Sequence, residues 1–138
     1  MVHMKKVFVD TNYFLRYLIK DVPAQSRQVS ALFKKGMVGE VALVTSVIVF
    51  FEVSWVLSSY YGFEKDSIVK ALGGLSSLDF LTIDFNQRDL FLEALDLYAS
   101  VPKLDLEDCF VVVSALGEGC VEVASFDRDL LRVFSRGE

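Results

Sequence analysis

The stretch that decides the fold is residues 5–12, which read Lys5-Lys6-Val7-Phe8-Val9-Asp10-Thr11-Asn12. The three residues from Val7 to Val9 are β-branched or aromatic, which is typical of a short strand buried on both faces of a sheet. Thr11 is a good N-cap, so we expect it to begin a helix that continues to Ile19. The stretch therefore predicts a buried strand that ends on an acid and leads directly into a helix.

The same alternation of short apolar strands and helices continues along the chain. We predict three further strands, at residues 41–44, 80–83 and 121–124. Helices are predicted at residues 23–36, 47–60, 66–75, 86–98 and 106–116, followed by a last helical turn or two after residue 129. Strands that alternate with helices indicate a parallel sheet with helices on both faces. We therefore expect a single domain over residues 1–138, an α/β protein built as a three-layer α/β/α sandwich with a mostly parallel sheet of four to five strands.

Composition and charge exclude several classes of protein. The chain has 138 residues, of which 53% are hydrophobic, whereas disordered chains are poor in such residues. No apolar run approaches the ~20 residues of a membrane-spanning helix, so we expect no membrane segment, no signal peptide and a cytoplasmic location. Fourteen Lys and Arg against 19 Asp and Glu give a net charge of −5, which argues against a generic nucleic-acid binder. An enzyme that holds metal cations in an acidic cleft is still allowed, because a bound metal changes the local sign of charge.

Histidine and cysteine offer little chemistry in this chain. His3 is the only histidine, so Ser-His-Asp and Cys-His arrangements have almost no support. Cys109 and Cys120 both lie in apolar segments, and we expect them to be buried free thiols in a reducing compartment. Zinc sites built from Cys and His are equally unsupported.

Carboxylates at the ends of the predicted strands are the best candidates for a functional site. Asp10 follows the first strand and Asp127 follows the fourth, and ligands of parallel sheets bind beyond the carboxyl ends of the strands. Glu52 has apolar neighbours on its helix, where a carboxylate is costly unless it is paired, protonated or bound to a metal. Asp108 begins a helix whose next residues are apolar, so its position should be rigid. Each acid also has a structural interpretation, as a helix cap or, for Glu52, as half of an ion pair.

Four carboxylates drawn from separate elements repel one another unless a cation lies among them. Hard oxygen ligands select Mg²⁺ or Mn²⁺ over zinc. A metal held in this way activates water and neutralises the oxygens of a phosphate. If the four acids converge, they therefore predict hydrolysis of phosphate esters.

Four segments, in this order, resemble a PIN domain and are most similar to the VapC-type toxins of bacterial and archaeal toxin–antitoxin pairs. They are residues 7–12, 46–57, 104–110 and 124–130. The resemblance implies a Mg²⁺- or Mn²⁺-dependent endoribonuclease with the acidic quartet Asp10, Glu52, Asp108 and Asp127. It further implies an RNA substrate, a cognate antitoxin, a homodimer, and supporting roles for Asn12, Asp105, Ser125 and Asp129.

An RNA substrate requires cationic contacts despite the negative net charge. Arg16 and Lys20 are predicted to share one face of the first helix, and Arg128 lies beside the last acid. We expect these three side chains to contact phosphates. Four aromatic residues are expected either in the core or on a surface that a partner covers: Trp55, Tyr60, Tyr61 and Phe63.

Alternative functions differ in how well the residues fit them. A PIN nuclease of RNA processing without an antitoxin fits the same residues, and so does a catalytically silent PIN-like binding module. A phosphoryl-accepting receiver domain needs an acidic neighbour for Asp10 and a Lys after a late strand, where Ser125 stands. A haloacid-dehalogenase-like phosphatase needs an Asp at the position of Asn12. The last two classes are therefore disfavoured.

Overall fold

A computed structural model of the protein describes residues 4–84, 88–104 and 106–137. Within these ranges the strands are β1 (Lys5–Val9), β2 (Val41–Ser46), β3 (Leu81–Asp84) and β4 (Glu122–Ala124). All neighbouring strands pair in parallel, in the order β3-β2-β1-β4. The predicted α/β class and parallel sheet are confirmed.

Helices connect the strands and cover the sheet. They are α1 (Thr11–Leu18), α2 (Pro23–Met37), α3 (Val47–Ser59), α4 (Lys65–Ser76), α5 (Arg88–Ser100), α6 (Leu106–Gly117) and α7 (Arg128–Arg136). No helix in the described ranges is both long enough and apolar enough to cross a membrane.

The core is built around β1, whose last three residues are at most 1% exposed. Both faces of a parallel sheet are covered by helices, so such a strand is apolar throughout instead of alternating. Phe14 of α1 packs against Phe50 of α3, with 5.4 Å between the ring centroids. Phe14 also contacts Phe33 of α2 at 6.2 Å. These contacts hold α1, α2 and α3 together on the carboxyl side of β1.

The structure corrects both predicted ends of the first helix. Asp10, and not Thr11, is the N-cap, because Asp10 has an extended backbone and its side chain accepts the N–H of Thr11 at 2.8 Å. The helix ends at Leu18, since Ile19 has an extended backbone with φ −125° and ψ 109°. Lys20 therefore lies beyond the helix, and the prediction that it shares a helical face with Arg16 is wrong.

Other boundaries differ by a few residues. Strand β2 continues two residues further than predicted, to Ser46, which then caps α3 by accepting the N–H of Ile48 at 3.3 Å. Helix α7 is longer than the predicted turn or two because Asp127 caps it at its first residue. The predicted start of the fifth helix at residue 86 and the predicted role of Asp105 both lie outside the described residues.

The two cysteines are buried free thiols, as predicted. Burial raises the pKa of the Cys120 thiol to about 11. A thiol with so high a pKa is a poor nucleophile at neutral pH.

Candidate active site at the carboxyl edge of the sheet

Asp10 is a buried carboxylate at the carboxyl end of the central strand β1, with only 5% of its surface exposed. Its Oδ1 atom accepts the backbone N–H of Thr11 at 2.8 Å. Its Oδ2 atom accepts the hydroxyl of Ser125 at 2.8 Å. These donors offset part of the cost of removing a charge from water. The position and orientation of this carboxylate are therefore fixed by its surroundings.

Asp127 lies just beyond the neighbouring strand β4 and is half-buried. Its Oδ1 atom accepts the backbone N–H groups of Asp129 at 3.0 Å and Leu130 at 3.1 Å, which makes it the N-cap of α7. Both bonds end on Oδ1, so capping does not occupy Oδ2. The structural interpretation of this acid, a helix cap, is thus correct without excluding a second role.

Ser125 connects these two acids. Its hydroxyl donates to Oδ2 of Asp10 and accepts the backbone N–H of Asp127 at 3.1 Å. The parallel pairing of β1 with β4, which matches Val9 with Ala124, brings the three residues together. Ser125, expected only as a supporting residue, is therefore the hydrogen-bonded link between two members of the predicted quartet.

Glu52 and the first turn of α6 form a second part of this region. Glu52 is half-buried and lines a cavity of about 440 Å³, together with Ile48, Trp55, Val56 and Glu107. Helix α3 packs against both α1 and α6, and Glu107 in the first turn of α6 lines the same cavity as Glu52. Asp108 itself is half-buried.

The donor chemistry of these residues suits a hard divalent ion. Carboxylate and hydroxyl oxygens are the ligands that Mg²⁺ and Mn²⁺ prefer. Thr11, next to Asp10, contributes a further oxygen, since its buried Oγ1 has no hydrogen-bond partner in the described part of the chain. Buried polar atoms normally have a partner. Within the same residues, however, no group of three or more His, Cys, Asp or Glu side chains is arranged to hold a metal ion.

The remaining predicted residues have varied surroundings. Asn12 is half-buried in the first turn of α1, Arg128 and Lys20 are exposed, and Asp129 forms an ion pair with Arg132 at 3.1 Å. The guanidinium of Arg16 is committed elsewhere: it forms an ion pair with Asp21 and donates to the Tyr61 hydroxyl at 3.1 Å. Burial alone would lower the pKa of Arg16, but the hydrogen bonds and negative charges of these partners raise it. Arg16 thus joins α1 to the segment after α3.

The expected aromatic cluster divides into two kinds of residue. Trp55 is 67% exposed and Tyr60 is 78% exposed. Tyr61 and Phe63 are partly buried and pack against the core. Tyr61 and Phe63 thus match the expectation of core packing, and Trp55 and Tyr60 lie on the surface.

Three residues near the acids are absent from the sequence-based predictions. Thr45 at the end of β2 donates its hydroxyl to the carbonyl oxygen of Val9 at 2.9 Å. Tyr13 stacks on Phe126, with centroids 4.8 Å apart and planes 21° from parallel. Burial, and then the charge of Glu122, raise the pKa of Tyr13. The stacking of Tyr13 on Phe126 holds the loop before Asp127, and the bond from Thr45 joins β2 to the end of β1. The signal in the sequence for the stacking is that Phe126 lies between Ser125 and Asp127.

Comparisons with known proteins agree with this architecture. The PIN domain family model matches residues 7–134, and the chain belongs to the PIN domain family. One similar solved structure is VapC20 of Mycobacterium tuberculosis, described as a sarcin-ricin loop cleaving toxin. The two share 16% sequence identity with a TM-score of 0.75, and the match covers 92% of this chain and 94% of that one. No curated protein sequence matches the chain significantly.

The predicted resemblance to PIN domains is thereby confirmed. At 16% identity, the likeness to VapC20 concerns the fold.

Proposed function

We propose that this protein is a Mg²⁺- or Mn²⁺-dependent endoribonuclease that hydrolyses RNA phosphodiester bonds and serves as the toxin of a VapBC-type toxin–antitoxin pair. The observation that carries the proposal is the hydrogen-bonded unit of Asp10, Ser125 and Asp127 at the carboxyl edge of β1 and β4. Membership of the PIN family and a fold shared with a sarcin-ricin loop cleaving toxin support the same conclusion.

The residues that would hold the ion are Asp10 and Asp127, and we propose that Glu52 from α3 and Asp108 from α6 complete the set. A bound metal ion supplies a nucleophilic water and neutralises charge on the phosphate. The protein's own residues orient the carboxylates. The hydroxyl of Ser125 and the N–H of Thr11 hold the Asp10 carboxylate, and helix α7 holds Asp127. Groups held in this way lose little freedom when substrate binds.

A partner that covers the cavity at Glu52 is part of the proposal. Phe51 and Trp55 are 64% and 67% exposed and both line that cavity. Exposed apolar residues grouped around a polar centre are typical of a protein-binding surface. We propose that an antitoxin covers them, that the protein forms a homodimer, and that it acts in the cytoplasm.

Metal dependence and nuclease activity can be tested together. The purified protein is incubated with single-stranded RNA in Mn²⁺, in Mg²⁺ and in EDTA, beside the Asp10→Asn variant. We expect cleavage with either ion, none in EDTA and none by the variant. Cleavage that persists in EDTA would contradict the metal mechanism, and absence of cleavage with both ions would favour the silent binding module.

The toxin role needs a separate experiment. Expression in bacterial cells should arrest growth, and co-expression of a small protein encoded next to this gene should restore it. Growth that is unaffected by a protein that cleaves RNA in vitro would favour the alternative, a PIN nuclease of RNA processing.

A further inference from the structure

A second cavity, here named the α7 groove, lies between α7 and the segment that ends α5. It has a volume of about 560 Å³. One wall includes Val101, Pro102 and Lys103, and the other includes Arg132, Val133 and Arg136. The groove therefore combines an aliphatic lining with cationic groups on both sides.

The charge of the α7 groove is opposite to that of the whole chain. Lys103, Arg132 and Arg136 line it together with a single described acid, Asp129. The carboxylate of that acid lies 3.1 Å from Nη1 of Arg132, so three cations and one acid leave two positive charges in the groove. The Arg132 side chain is 51% exposed, which leaves its other N–H groups able to contact a ligand. A protein with a net charge of −5 thus has a groove with a local excess of positive charge.

Both walls of the groove continue from elements that carry proposed site acids. Helix α7 begins at the cap residue Asp127, and its rise of 1.5 Å per residue puts Arg132 roughly 8 Å and Arg136 roughly 14 Å further along the axis. On the other wall, Lys103 lies shortly before α6, whose first turn carries Asp108. The groove therefore leads away from the acids.

We propose that the α7 groove binds the single-stranded RNA that flanks the bond to be cleaved, an inference that rests on the proposed ribonuclease function. The guanidinium groups of Arg132 and Arg136 match phosphate oxygens in pairs. The apolar part of the described lining is aliphatic. We expect the cationic side chains to contact the RNA backbone, and such contacts position a strand without selecting its sequence.

RNA suits the groove better than an acidic protein segment does. Helix α7, which forms one wall of the groove, begins at Asp127, so a substrate strand bound at Asp127 could continue along α7 into the groove. A cationic groove attracts peptide carboxylates as well as RNA phosphates, so the start of α7 at Asp127 is the observation that favours RNA.

The test measures binding apart from cleavage. Fluorescence anisotropy of labelled oligouridylate is followed with the wild-type protein in EDTA over a series of salt concentrations. The double variant Arg132→Gln/Arg136→Gln should bind more weakly. Its plot of log affinity against log salt should be shallower by about 0.7 for each phosphate that is no longer neutralised, hence by about 1.4 for two phosphates. Adding Lys103→Gln should weaken binding further, and oligoadenylate should show the same decreases in affinity.

A matched control removes the same charge elsewhere. Arg27 and Lys34 line a shallow surface cavity on α2, so Arg27→Gln/Lys34→Gln changes the net charge equally. This control should keep the wild-type salt dependence. Circular dichroism should show that all variants are folded, because the substituted side chains are exposed.

The outcomes separate this inference from the proposed function. Equal decreases in affinity for both double variants, or no decrease for the groove variant, would overturn the inference even if RNA is cleaved. Displacement of RNA by polyglutamate of equal charge would assign the groove to an acidic protein and overturn it too. A decrease in RNA binding that is confined to the groove variant, without any Mn²⁺-dependent cleavage, would support RNA binding by the α7 groove and contradict the proposed nuclease activity.

Discussion

The two parts of the candidate site are built in opposite ways. At the β1–β4 end, a charged residue is inside: Asp10 is 5% exposed and its oxygens accept bonds from Thr11 and Ser125. On α3, apolar residues are outside: Phe51 and Trp55 are about two-thirds exposed around Glu52. The first part fixes the orientation of a carboxylate, and removing that carboxylate from water costs free energy. The second leaves apolar surface uncovered, which stabilises nothing until a partner binds.

The largest expected effect is that of Asp10→Asn on activity. Asn is as good an N-cap as Asp, so the helix start survives while the negative charge is removed. We expect RNA cleavage to fall by more than the roughly 10–100-fold that is typical of removing a group that only supports a metal ligand. Cleavage rates in Mn²⁺ and thermal unfolding measure the two effects. Retained activity in a folded variant would remove Asp10 from the site.

Two substitutions at Ser125 separate the effect of its hydroxyl from the effect of changing the side chain itself. Ser125→Ala removes a donor from a buried carboxylate and should lower activity or Mn²⁺ affinity by about 10–100-fold. It should also cost roughly 1.5–3 kcal/mol of stability, the range for hydrogen bonds to charged groups. Ser125→Thr keeps the hydroxyl and should behave nearly as wild type. Isothermal titration with Mn²⁺ and denaturant unfolding give both values, and equal Mn²⁺ affinity for the Ala and Thr variants would show that the hydroxyl has no part in the site.

Asp127 allows its two roles to be measured apart. Asp127→Asn should keep the cap on α7 and lose activity. Asp127→Ala should lose activity and, in addition, about 0.5–2 kcal/mol of stability, because both capping bonds disappear. Urea unfolding of the three proteins tests the difference. If the Asn variant cleaves RNA normally, Asp127 is a cap and nothing more.

The smallest effect on the protein alone is expected at Trp55. Trp55→Ser should change the free energy of unfolding by no more than about 0.5 kcal/mol, since the side chain is mostly exposed. Leu57→Ala on the same helix is the buried counterpart and should cost about 2–5 kcal/mol. A large loss of stability in Trp55→Ser would mean that the exposed part of the site contributes to the core, and the comparison of the two parts would fail.

The structure agrees best with the sequence where the signals are local. The apolar run at residues 7–9 predicted a buried strand, and the helix predicted from residue 47 begins there. The error at Thr11 has a local cause too, because two adjacent residues could each cap the helix and the backbone conformation decided for Asp10. The contacts of Arg16 were not predicted for a different reason: its partners Asp21 and Tyr61 come from two other segments.

By itself, the sequence determined what each segment is: which runs form strands, which acids follow them, and that oxygen donors without histidine suit a hard metal ion. Only the tertiary structure decided which segments are neighbours. The order β3-β2-β1-β4 sets β4 beside β1 and so brings Ser125 to Asp10, and the packing of α7 near the end of α5 creates the cationic groove. The physical reason is that propensity and capping act over a few residues, whereas the choice of neighbour depends on how all the apolar faces are buried at once.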